Sequence, residues 1–139
     1  MNEPIIWRLI RWLYGGYFIC LAVASTLEFM DIVPDPHWEG SMSPASAAFL
    51  AALENTGFVM PLIILTWAAS GLALMFLRTA PLGVVLLAPV MINMFLADTM
   101  LDTVWVWATA HAAPLAILAW RYRSAYRALW KYSPPATGS

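Results

Sequence analysis

Four uncharged, strongly apolar runs divide this chain, and any fold must find a solvent for them. They are Trp12–Leu27, Gly57–Leu77, Thr79–Ala97 and Thr103–Trp120. The first extends backward past Arg8 and Arg11, whose long side chains can snorkel to the headgroups. Crossing about 30 Å of hydrocarbon takes roughly 20 apolar residues, and each run is close to that length. The 139 residues are 62% hydrophobic and 11% charged, against about 25% charged in an ordinary soluble domain. One small core cannot hide so much apolar surface, so lipid must be the solvent. The expected fold is all-α: a single integral membrane domain over 1–132, an antiparallel bundle of four transmembrane helices spanning about 7–27, 57–77, 79–97 and 103–120.

The charges fall into a pattern that only an even number of crossings explains. Arg8, Arg11, Arg78, Arg121, Arg123, Arg127 and Lys131 all lie at the N-terminus, in the short "LRTAPLG" turn or in the C-terminal tail. In four antiparallel helices those places share one side. Most acids take the other: Glu28, Asp31, Asp35 and Glu39 in the first loop, Asp98 and Asp102 in the last turn. Cationic loops stay inside, so both termini are expected in the cytoplasm of a bacterial inner membrane. Trp7, Trp12, Trp120 and Trp130 form the expected cytoplasmic aromatic belt, with Trp105 and Trp107 on the opposite one. A net charge of −1 provides no footprint for nucleic acid. Cys20 is alone, which excludes an intrachain disulfide.

A competing reading takes residues 1–24 as a cleavable leader, with "AVA" as the processing site. It is disfavoured because losing helix 1 unbalances the bundle. The long loop between spans 1 and 2 opens rich in proline and acid. From Ser43-Pro44 it reads as N-cap and first residue of a short helix through Leu53. That helix is too short to span and is expected at the outer interface or capping the bundle. The tail over 133–139 is expected to be disordered.

Helices in lipid associate through small residues that admit close backbone approach. Gly16, Cys20 and Ala24 form such a stripe on helix 1, Ala69 and Ala73 with Gly71 on helix 2, and Ala108, Ala112 and Ala116 on helix 4. Pro61, Pro89 and Pro114 each free a carbonyl one turn earlier. Asn93, one turn after Pro89, is expected to bond a neighbouring helix rather than a ligand.

Of the remaining polar residues, Asp102 marks the water boundary, and Asp98 is open between that role and a functional carboxylate. No Lys or Arg of this chain lies on that side, so Asp98 needs a proton, a metal ion, water or another subunit. His111, mid-helix, favours an internal hydrogen bond, with axial ligation of haem or a chlorophyll-type pigment as the sharper alternative. Trp67 favours packing, but its ring can also stack on a quinone or pigment. His37 between Asp35 and Glu39 reads as solvated loop before it reads as a metal site.

The stretches "NTGFVMPLIIL", "SGLALMFLRTAPLGVVLLAPVMINMFL" and "WRYRSAYRALW" make the chain resemble the DoxX family of small four-helix membrane proteins, from roughly Gly15 to Trp130. The resemblance implies the same four-span fold and a link to redox membrane complexes, among them a thiosulfate:quinone oxidoreductase. It also implies where family members place polar groups. A Lys-Phe pair often ends helix 1, a Glu precedes the glycine matching Gly71, and a His follows the asparagine matching Asn93. Here those places hold Glu28-Phe29, Trp67 and Asp98.

With no catalytic constellation or metal site in the sequence, the favoured function is a non-catalytic accessory subunit packed against larger subunits of an electron-transfer or photosynthetic complex. The alternatives are a quinone-linked redox protein and a haem or pigment protein ligated by His111. The candidate ligand-binding residues are Asp98, Glu28, Asn93, Trp67 and His111.

Overall fold

The computed structural model describes residues 3–33 and 42–130. His37, Asp35, Glu39, Lys131 and the tail lie outside the described residues. All regular structure among those described is helical: α1 (Ile5–Phe29), α2 (Pro44–Asn55), α3 (Val59–Met75), α4 (Ala80–Met100), α5 (Trp105–Arg121) and α6 (Arg123–Trp130). Two helices, α1 and α4, are long and apolar enough to cross a membrane. A third span arises if α2 and α3, bent by 92° at their junction, count as one broken crossing. At 17 residues each, α3 and α5 reach about 26 Å, the short limit of a spanning helix.

Local chemistry sets these boundaries. Pro4 precedes α1, and its carbonyl accepts the amides of Trp7 (3.0 Å) and Arg8 (3.3 Å). Asp31 ends the helix in the left-handed region at φ 54, with Ile32 N–H on Leu27 O and Asp31 N–H on Glu28 O; this is a Schellman cap. As the sequence implied, Ser43 caps α2: its hydroxyl accepts the Ser46 amide at 3.1 Å with Pro44 in the first turn. Gly57, at φ +72, makes the sharp corner into α3 that a side chain would resist.

The long helices pack in the order α1–α3–α4–α5, each antiparallel to the next, and α1 meets α5 along a thin seam. Phe18, Leu74, Leu87, Met91 and Leu118 are wholly enclosed. The exterior is equally apolar: Leu13, Leu65, Ile92, Val106 and Trp120 are all more than half exposed. An apolar outside around an apolar inside is what a lipid-solvated protein requires and what water would penalise.

Two packing expectations need correction. The buried face of α1 is Arg11, Tyr14, Gly15, Phe18 and Ala22, one residue out of phase with the stripe Gly16, Cys20, Ala24; Cys20 and Ala24 are exposed. Successive helical residues lie about 100° apart, so this shift turns the small-residue stripe toward the outside of the bundle. Arg11 does not snorkel. It is 3% exposed, and its Nη1 donates to the carbonyls of Leu74 (2.7 Å) and Met75 (2.6 Å). These are orphan acceptors at the C-terminus of α3, where a cation also complements the helix dipole. Glu3 completes the arrangement, accepting from Arg11 Nη2 at 3.0 Å.

Candidate functional site

At the end of the molecule opposite Arg11, α2 folds back over α3 and α4 and forms one wall of a partly open chamber of about 420 Å³. α2 buries no side chain completely, so its position depends on its ends. The amide of Ser43 donates to Asp102 Oδ1 at 2.8 Å, and the Ser43 hydroxyl donates to the Leu101 carbonyl at 2.9 Å. Gly57 turns the other end. Asp102 therefore tethers α2 to the end of α4, a more specific role than marking the water boundary. The Ser43 amide holds its carboxyl below the ordinary carboxylate range.

The floor of the chamber is apolar. Phe49, Leu50 and Leu53 of α2 face Met60 and Ile63 of α3 and Val90 and Met94 of α4. Ser46 joins that lining, and so do three of the candidate site residues: Trp67, Asn93 and Asp98. Sequence alone placed these residues on two helices; the structure brings them to one cavity. The Trp67 indole is 8% exposed, and its Nε1–H has no acceptor among the described residues. Asn93 was expected to bond a neighbouring helix. Instead its Nδ2 donates within α4 to the Pro89 carbonyl at 2.9 Å, and its Oδ1 accepts from no donor among the described residues. Glu28, the fifth candidate, lines neither this chamber nor the second cavity.

That second cavity, about 480 Å³, is an apolar groove between α1 and α3 lined by Ile19, Val23, Phe29, Ile64 and Leu72 among others. It contains no titratable side chain.

His111 lies on the α1–α5 seam. Its Nδ1 is 3.0 Å from the Trp107 carbonyl, and its Nε2 is 2.6 Å from the Tyr17 hydroxyl. A carbonyl only accepts, so Nδ1 carries the proton; in a neutral ring Nε2 then accepts from Tyr17 O–H. Tyr14 O–H donates to the His111 backbone carbonyl at 2.8 Å, and the Trp107 ring meets the imidazole edge-on at 4.4 Å between centres. Both ring nitrogens are engaged, so axial ligation of haem or pigment requires the Tyr17 bond to break. The expected internal hydrogen bond is present, but to the helix's own Trp107 carbonyl rather than to the carbonyl Pro114 frees.

Sequence reasoning missed Arg11, Tyr14 and Tyr17 as organising residues, and read Ser43 only as the cap of α2, not as its link to α4. For Arg11 and Tyr14 a signal existed: 11, 14, 15, 18 and 22 form a helical stripe, which places an arginine and a tyrosine on the inner face; Tyr17 lies off it. No family model matches the chain, and no curated protein or solved structure is similar to it.

Proposed function

We propose that this chain is a four-span, DoxX-like protein of the bacterial inner membrane whose outer chamber holds the ring of a lipophilic molecule of the quinone class. One observation carries the reading: Trp67, Asn93 and Asp98, from two helices, line one chamber of about 420 Å³. Binding sites of this size range combine an apolar lining with few polar groups. Trp67 supplies a flat wall for stacking. Asn93 and Asp98 supply hydrogen-bonding groups for carbonyl or hydroxyl oxygens on a ring. The groove between α1 and α3 offers only apolar contact and suits an acyl or isoprenoid chain. We assign no catalytic step to the chamber.

The topology belongs to the same proposal. With α1, α3, α4 and α5 all crossing, Arg8, Arg11, Arg78, Arg121, Arg123 and Arg127 fall on one side, which supports cytoplasmic termini. The 92° corner then lays α2 along the outer surface as an interfacial helix. The DoxX-like resemblance rests on the quoted residues alone.

The test is a titration of detergent-solubilised protein with a short-chain quinone, followed by tryptophan fluorescence. Saturable quenching, weakened at least tenfold by Trp67→Leu and by Asp98→Ala, is the expected result. Unchanged binding in both variants would remove the chamber from consideration.

A second reading is the non-catalytic accessory subunit of a larger electron-transfer or photosynthetic complex. It draws on the exposed aromatics Trp105 and Trp107 and the thin α1–α5 seam, a face with room for another helix. Purification in mild detergent under native conditions distinguishes the two, since only this reading requires co-purifying larger subunits.

A further inference from the structure

The end of the molecule remote from the chamber carries a cluster of cations that the proposed function does not use. Arg11 is committed to Glu3 and α3. No other ion pair is found among the described residues, which leaves Arg8, Arg78, Arg121, Arg123 and Arg127 without an acidic partner there. Three of these guanidiniums rest on indole faces instead: Arg8 5.6 Å from the Trp12 ring centre, Arg121 5.6 Å from Trp7 and Arg123 4.7 Å from Trp120. The Arg121–Trp7 contact joins the end of α5 to the start of α1. Tyr126 O–H donates to the Pro81 carbonyl at 3.2 Å, which docks α6 against the start of α4. Three separate helix ends thus converge on one cationic surface.

We infer that this surface is a binding site for the phosphodiester headgroups of anionic phospholipids. Arg123 Nη1 donates to the Trp120 carbonyl at 3.3 Å, whereas the guanidinium N–H groups of Arg8 and Arg121 bond nothing among the described residues; such an edge matches two phosphate oxygens in the bidentate mode lysine cannot copy. Tryptophan settles at the headgroup level of a bilayer, so the stacks hold the cations at the depth of lipid phosphate. The lipid chains beneath find exposed apolar surface at Leu9, Leu13, Leu82 and Ile117. An acidic protein segment matches the charge, but it does not use that adjoining apolar surface. The inference shares with the proposed function only the membrane-spanning frame and is independent of what fills the chamber.

Native mass spectrometry of the full chain tests it, with phosphatidylglycerol and phosphatidylcholine of identical acyl chains as probes. Retention of phosphatidylglycerol should exceed that of phosphatidylcholine at least tenfold at low salt. The preference should collapse in high salt and resist competition by inorganic phosphate. Near-surface cations contribute about five-fold in affinity each, so combined Arg8→Gln, Arg121→Gln and Arg123→Gln should lower retention by about a hundredfold. Arg→Lys at the same positions should restore only part. Equal retention of the two lipids by the unaltered chain overturns the inference without reference to any variant. Displacement of the bound lipid by a polyglutamate peptide also overturns it, in favour of an acidic protein partner.

Discussion

Gly15 and Gly71 bring α1 and α3 together backbone to backbone. A Cβ on Gly15 would lie 2.9 Å from the Gly71 carbonyl oxygen, and a Cβ on Gly71 would lie 2.8 Å from that of Gly15. No side-chain rotation relieves either contact, because the obstructing atom belongs to the main chain. Gly83 repeats the device between α4 and α3, with a Cβ falling 2.9 Å from the Ser70 carbonyl. Burying leucine gains little where the solvent is lipid, so this close approach is a main source of cohesion.

Gly15→Ala and Gly71→Ala should therefore each destabilise the protein by about 1–3 kcal/mol, the range for overpacking a tight contact. Gly16→Ala is the control. Its Cβ would meet only the end of the Met75 side chain at 3.7 Å, an ordinary contact. Unfolding in mixed micelles, followed by circular dichroism, measures all three. Equal losses at Gly15 and Gly16 would restore the out-of-phase stripe as the packing face.

Arg11 yields the second prediction. Arg11→Met removes the donor for two α3 carbonyls and strands the Glu3 carboxylate, whose side chain is 8% exposed. Breaking one half of an enclosed ion pair costs about 3–5 kcal/mol. Removing both charges, Arg11→Met with Glu3→Gln, should recover part of that loss, since no uncompensated charge then remains. Arg8→Met should be near neutral by the same unfolding measurement.

These residues show where sequence reasoning reaches and where it stops. The Ser43-Pro44 cap was readable because both residues act on their own backbone within one turn. The four long helices were readable because each forms within a long apolar run, whereas α6 (Arg123–Trp130), which lies outside those runs, was not. The phase of α1 was not, since a stripe of small residues and a stripe containing arginine and tyrosine differ by a single position. Hydropathy disfavours the second stripe, yet α3's orphan carbonyls and His111 satisfy its polar groups. The chamber was out of reach for another reason. Its roof depends on Ser43 meeting Asp102, 59 positions away, and nothing local to either residue encodes that contact.

Asp102 makes α2 docking sensitive to acid. Its carboxyl is held below the ordinary value of 3.8, first by the Ser43 backbone amide. A carboxyl depressed on folding stabilises the docked state above its unfolded value, and that contribution is lost as pH falls through the folded one. Hydrogen exchange across α2 should therefore be slow above about pH 4 and quicken progressively below it. Asp102→Asn should quicken exchange at neutral pH and flatten the profile. A profile unchanged by that substitution would mean that Ser43's bond to the Leu101 carbonyl suffices.

The last prediction concerns the choice between an imidazole that binds a metal and one that holds two helices. Tyr17 O–H occupies Nε2 of His111, while Nδ1–H is committed to the Trp107 carbonyl. Ligation needs a free lone pair, so haem added to the purified chain should show no shifted Soret band. Tyr17→Phe frees Nε2 and leaves Nδ1 protonated, the tautomer that axial ligands adopt. That variant should gain a Soret shift, and the shift should vanish when His111→Ala is added. Losing the Tyr17 bond should cost little stability, about 0.6 kcal/mol for a typical polar contact in a membrane protein. A Soret shift already present in the unaltered chain, and abolished by His111→Ala, would show that the imidazole gives up Tyr17 for metal and would raise a haem or pigment function above the quinone reading.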